Sequence, residues 1–125
     1  MSRILLVEDD TATRVLWEHA LLDADYEIDT AETATGGVAL VGSRHYDLVV
    51  TDGRLPDGIG MMVADAGRAK GIPALLVTGY AFILDELRGD PSHNVLVKPI
   101  CPSELLEAVA RALSTTPASD FGPVV

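Results

Sequence analysis

Cysteine is nearly missing from this chain. Cys101 stands alone, which excludes an intrachain disulfide, a CxxC metal site and a dithiol redox pair, and leaves a packed free thiol as the reading. Basic residues are also scarce: 9 Lys and Arg against 19 Asp and Glu give a formal charge of −10. Nucleic-acid affinity rests largely on clustered Lys and Arg, so this composition predicts a protein partner and no direct nucleic-acid contact. The first apolar run, Ile4-Leu5-Leu6-Val7, is too short for a signal-peptide core or a membrane span, which predicts a cytoplasmic protein without membrane contact. No GxxxxGK[ST], GxGxxG or GxSxG occurs. His19, His45 and His93 show no HExxH or paired spacing, so zinc chemistry has no motif either, and the three read as surface residues.

What is present is a set of short apolar runs with chemistry at their ends. Ile4-Leu5-Leu6-Val7 runs into Glu8, Asp9 and Asp10; Leu48-Val49-Val50 precedes Asp52; Leu75-Leu76-Val77 precedes Thr78; and Val95-Leu96-Val97 precedes Lys98. Short continuous apolar runs bounded by polar residues read as buried strands. Between them the period changes. Residues 11–23 carry Leu16, Trp17, Ala20 and Leu21 at helical spacing, 33–43 form an Ala- and Gly-rich helix started by the capping residue Thr33, and 60–70 form a third helix. Pro102 opens a last helix whose Leu105, Leu106, Val109, Ala112 and Leu113 make one stripe. Strands are expected at 4–7, 26–31, 48–51, 74–77 and 95–97, and the weakest helix at 81–89, before a turn at Asp90-Pro91-Ser92.

Five βα units in sequence, with apolar strands and amphipathic helices, predict a doubly wound α/β fold with a parallel sheet covered on both faces. At 125 residues and 48% hydrophobic, the chain suits one domain over 1–114, followed by a flexible tail at 115–125, with no internal repeat and no linker to an output domain. In such sheets ligands bind beyond the carboxyl ends of the strands. Glu8, Asp9, Asp52, Thr78 and Lys98 all fall there.

If the first and third strands are neighbours, Glu8, Asp9 and Asp52 share one site. Three carboxylates repel one another and do not all stay ionised without a cation. Mg²⁺, or Mn²⁺ in its place, suits a few carboxylates plus phosphate oxygens. The Lys98 ammonium and the Thr78 hydroxyl can contact oxygens of a phosphoryl group, and Asp52 is the natural nucleophile, since an aspartate can form an acyl phosphate. Asp10 reads as a helix-start acid, and Asp57 and Asp90 as turn residues. Gly53 reads as leaving the side of Asp52 open to a donor.

These pieces resemble the response-regulator receiver domain of two-component signalling, from about Arg3 to Leu113. Ile-Leu-Leu-Val-Glu8-Asp9-Asp10 resembles the family's first strand and acidic pair. Tyr46-Asp-Leu-Val-Val-Thr-Asp52, with Pro56 and Gly60, resembles its phosphorylation strand and loop. Leu75-Leu-Val-Thr78-Gly79 and Val95-Leu-Val-Lys98-Pro99 resemble the strands ending in the switch hydroxyl and the lysine. The resemblance implies a flavodoxin-like sheet of order 2-1-3-4-5, Asp52 as phosphoacceptor, and metal held by Asp9 and Asp52, by Glu8 through water and by the Arg54 backbone carbonyl. It also implies a cis Lys98–Pro99 bond.

The chain departs from the family pattern at Val95, where an aromatic residue commonly turns inward as the switch hydroxyl engages the phosphoryl group. Tyr80 is a candidate substitute, and Thr78-Gly79-Tyr80 resembles a receiver subgroup without that aromatic. The Arg54 side chain either hangs over the pocket mouth, setting the acyl-phosphate lifetime with Tyr80, or extends into solvent. Ile100 stands where phenylalanine often follows the Lys-Pro pair.

The expected function is a single-domain response regulator in a phosphorelay. It takes a phosphoryl group from a sensor histidine kinase or histidine phosphotransfer protein, and signals, as monomer or weak homodimer, to a downstream protein through the fourth helix, fifth strand and fifth helix. Apart from Mg²⁺-dependent self-phosphorylation and slow self-dephosphorylation, it is expected to be no enzyme. The alternatives are a receiver fragment of a larger regulator or hybrid kinase, and a phosphorylation-independent pseudo-receiver, against which Asp52, the acidic pair and Lys98 all stand. A flavodoxin lacks support because acids replace its phosphate loop, and a haloacid-dehalogenase phosphatase because Arg54 stands where a second Asp is needed.

Overall fold

The apolar runs do form strands, and those at 4–7, 48–52 and 74–78 are buried on both faces. The computed structural model describes residues 2–79 and 94–114. The readings on Tyr80, on 81–89, on 90–92, on His93 and on the tail at 115–125 lie outside them. In chain order the elements are β1 Arg3–Val7, α1 Thr11–Asp23, β2 Glu27–Ala31, α2 Ala34–Ser43, β3 Leu48–Asp52, β4 Arg54–Leu55, β5 Gly58–Ile59, α3 Gly60–Ala69, β6 Ala74–Thr78, β7 Asn94–Val97 and α4 Pro102–Ser114. β4 and β5 pair only with each other, in a small antiparallel ribbon that the sequence did not announce. The remaining strands make one parallel sheet ordered β2-β1-β3-β6-β7, which is the expected 2-1-3-4-5 once the ribbon is set aside.

Side chains alternate across a strand, so a continuous apolar run feeds two cores at once. Ile4, Leu6, Leu48, Val50, Leu75 and Val77 pack with Trp17 and Leu21 of α1 and with Leu105, Ala108, Val109 and Ala112 of α4. Leu5, Val7, Val49 and Ala74 pack on the other face with Ala34 and Val41 of α2 and Val63 and Ala64 of α3. Fully burying one such side chain is worth about 1.5–3 kcal/mol, so the central strands anchor everything displayed at their ends. One member of the expected α1 stripe differs. Leu16 is 53% exposed, because the face that meets the sheet is set by Trp17 and Leu21.

Helix ends follow local chemistry. Asp10 caps α1, accepting from the Thr13 backbone N–H at 2.9 Å and the Thr13 hydroxyl at 2.6 Å, and these bonds hold its carboxyl below the usual range. Thr33 caps α2 by accepting from Gly36 N–H at 2.9 Å. α3 is capped at Lys70 and followed by Gly71, which takes φ +79, a left-handed conformation that glycine adopts without steric cost.

Candidate functional site

Parallel pairing brings the chemistry together. β1 and β3 align Val7 with Thr51, β3 and β6 align Asp52 with Val77, and β6 and β7 align Thr78 with Val97. The residues that follow therefore emerge along one edge. Carboxylate oxygens of Glu8, Asp9 and Asp52 lie within 4.8 Å of one another. Beside them opens a cleft of about 510 Å³ lined by Asp9, Asp52, Arg54, Leu55, Pro56, Gly79 and Lys98. Lys98 precedes a cis bond to Pro99, as the family resemblance implied.

Lys98 ties the acids together. Its Nζ donates to Glu8 Oε1 at 2.9 Å and to Asp52 Oδ2 at 3.1 Å. Glu8 is fully buried, and its Oε2 accepts from Asp10 N–H at 3.0 Å. Burial pushes the Glu8 carboxyl above the usual carboxylate range and the Asp52 charge adds to the rise, against the opposing bonds from Asp10 and Lys98. Burial pulls the Lys98 ammonium down, but the hydrogen bond to Glu8 and the charge of Asp52 outweigh it and leave its pKa raised.

Three carboxylates against one ammonium leave a formal charge of −2, which matches a divalent cation. An all-oxygen donor set is the kind that Mg²⁺ takes. The residues present fit the metal: Asp9 and Asp52 open onto the cleft, and Glu8 lies behind with its charge only partly compensated.

The structure also places the remaining predicted residues. Thr78 is fully buried and packs over Gly53, where an added Cβ would come within 2.7 Å of its hydroxyl oxygen. The space beside Gly53 is thus filled by Thr78 and is not an opening for a donor. Arg54 is exposed and lines the cleft, and its N–H approaches Asp52 Oδ1 at 3.4 Å. Val95 is half-buried on β7, paired with Leu76. His19 and His45 are exposed, as read.

Three contacts had no sequence signal. Gly60 leans on the phosphoacceptor candidate, since a Cβ there would fall 1.8 Å from the Asp52 carbonyl oxygen. Asp57, in the turn between β4 and β5, reaches α2 and accepts from Ala34 N–H at 2.7 Å, Thr35 N–H at 3.0 Å and the Thr35 hydroxyl at 2.5 Å. Trp17 lies under Lys98, whose Nζ is 5.5 Å from the ring centroid.

A family model described as the response regulator receiver domain matches residues 4–110. The chain belongs to this family. Among curated relatives, the receiver is 36% identical over 117 residues to the probable transcriptional regulatory protein SilR of Salmonella typhimurium, covering 89% of this chain and 50% of that protein. It is 32% identical over 115 residues to the transcriptional regulatory protein CusR of Escherichia coli K12, covering 89% and 51%. The receiver thus spans about half the length of these curated relatives. Among solved structures, the response regulator protein TrrA of Thermotoga maritima, solved in complex with Mg²⁺–BeF, is 34% identical with TM-score 0.75, covering 90% of this chain and 99% of that one. No helix among the described residues is long and apolar enough to cross a membrane.

Proposed function

We propose that this receiver is phosphorylated on Asp52 by a phosphohistidine of a sensor histidine kinase or phosphotransfer protein and passes the signal on by protein contact in the cytoplasm. The observation that carries this reading is the junction of Asp52, Glu8, Asp9 and Lys98 at one cleft. Asp9, Asp52 and the Arg54 carbonyl would hold Mg²⁺, with Glu8 acting through water; when bound, the ion supplies charge neutralisation for the incoming phosphoryl oxygens. An Asp52 carboxylate oxygen forms the new O–P bond, the N–P bond of phosphohistidine breaks, and its electron pair returns to the imidazole, which takes up a proton. Lys98 is already beside Asp52 and can turn its donors to the phosphoryl oxygens. Thr78, buried behind Gly53, would gain such a contact only on rearrangement, which suits a switch hydroxyl. Tyr80 and the Arg54 side chain would tune hydrolysis, and the output surface would include β7, whose Val97 is 40% exposed, and α4. The protein would turn over no substrate other than its own acyl phosphate.

The test is phosphorylation by a small acyl-phosphate donor, read by intact mass with and without Mg²⁺, in the native chain and in Asp52→Asn. A metal-dependent gain of one phosphoryl group that Asp52→Asn abolishes is the expected result; no gain in the native chain with Mg²⁺ overturns the reading. The half-length match to transcriptional regulatory proteins favours a second arrangement of the same chemistry, the receiver of a longer regulator. The size of the polypeptide that carries this sequence in its own cells separates the two.

A further inference from the structure

Trp17 is the chain's only tryptophan, and α1 buries it against Ile4, Leu6 and Val50. Ordinary core packing would account for that position. It does not account for the ammonium of Lys98 over the ring at 5.5 Å, on a lysine that also bonds Glu8 and Asp52. A cation within about 6 Å of an indole face is attracted by the ring quadrupole, most strongly where water is excluded. The Trp17 residue is 3% exposed and the Lys98 side chain 29% exposed, so the contact is largely desolvated.

We propose that Trp17 is a positioning residue for phosphoryl transfer: its ring face holds the Lys98 ammonium beside Asp52. This rests on the reading of Asp52 as phosphoacceptor. A lysine stem is long and flexible, and fixing it costs rotamer entropy. Glu8 and Asp52 hold it by hydrogen bonds, but the bond to Asp52 must be given up in part when a phosphoryl group arrives and its oxygens become the acceptors. The indole face uses none of the ammonium's donors. It therefore keeps hold of the charge while the N–H groups change partners, as the Asp52 O–P bond forms and the donor's bond to phosphorus breaks, N–P in phosphohistidine with the electron pair left on the imidazole, or P–O in a small acyl phosphate with the pair left on the departing carboxylate.

The chain has only Lys70 and Lys98, and Lys70 is tied elsewhere, by a bond to the Val41 carbonyl at 2.6 Å. With the lysine side chains labelled with carbon-13 at Cε, NMR gives two signals, one of which is an internal reference. In the native protein the Lys98 ε-protons are expected upfield of those of Lys70 through the indole ring current, and in Trp17→Leu that shift disappears. Phosphorylation by the small acyl-phosphate donor with Mg²⁺ is expected to slow by about 3- to 10-fold in Trp17→Leu, with most of the rate restored in Trp17→Phe, which keeps a ring face. The half-saturating donor concentration should stay near native, since the ring touches Lys98 and not the donor. A native Lys98 signal without ring-current shift overturns the inference even if Trp17→Leu fails to fold. Native rates in a folded Trp17→Leu overturn it and leave the Asp52 reading standing. Failure of the native protein to be phosphorylated removes both.

Discussion

Two carboxylate sites, the three-acid cleft and the lone Asp57 of the β4–β5 turn, are built on opposite terms. In the cleft, Glu8, Asp9 and Asp52 crowd within 4.8 Å with one ammonium among them, and burial lifts the Glu8 carboxyl above its usual range. At the turn, Asp57 accepts three hydrogen bonds from the start of α2, chiefly from Thr35, which bring its pKa down to about 2. Both sites use the same functional group. The first carries uncompensated charge, which makes it a place for a cation and a phosphoryl group; the second is satisfied, which makes it a clamp between the β4–β5 turn and α2.

The largest expected effect is to break the cleft's support from below. Gly60→Ala drives a Cβ into the Asp52 carbonyl and should cost about 3 kcal/mol or more, with loss of phosphorylation, as measured by denaturant melts and intact mass. Next comes the cation. Mg²⁺ at roughly 100 times its Kd should raise native stability by about 2.7 kcal/mol, and chelation should remove the gain, whereas Asp57→Ala should keep it. A variant of the clamp that loses the metal response would erase the distinction between the two sites.

Smaller effects sharpen the contrast of sign. Because burial disfavours the charged form of Glu8, Glu8→Gln should leave the metal-free protein at least as stable as native at neutral pH while reducing the Mg²⁺ gain; a lower metal-free melting temperature would contradict this. Asp57→Ala should do the reverse, lowering the melting temperature with no change in metal affinity. The Asp57 pKa is depressed from 3.8 to about 2, so its stabilisation is complete above roughly pH 4 and is lost as pH falls through about 2. The melting difference between native and Asp57→Ala should vanish over that window, and a difference that persists at pH 2 would assign the clamp to something other than the carboxylate's charge.

Much of this was legible in the sequence because it is local. A continuous apolar run specifies a strand buried on two faces, and a polar residue before a helical period specifies a cap, which is why Asp10 and Thr33 stand where expected. The sequence positions of Glu8, Asp9, Asp52 and Lys98 pointed to one strand-end edge for the same reason. Leu16 was misplaced because helical spacing alone does not say which flank of an apolar stripe faces the sheet. Gly53 was misread because its neighbour Thr78 comes from another strand.

By itself, then, the sequence determined the alternation of strands and helices, the acids and lysine at the strand ends, and the family to which the chain belongs. The bonds from Lys98 to residues 46 and 90 positions away, the Asp57 clamp 22 and 23 positions from its partners, and the indole under the ammonium were decided only by tertiary structure. The physical reason is range: backbone preference and hydrophobic period act over a few residues, whereas a hydrogen bond or a cation–π contact depends on where packing brings distant side chains together.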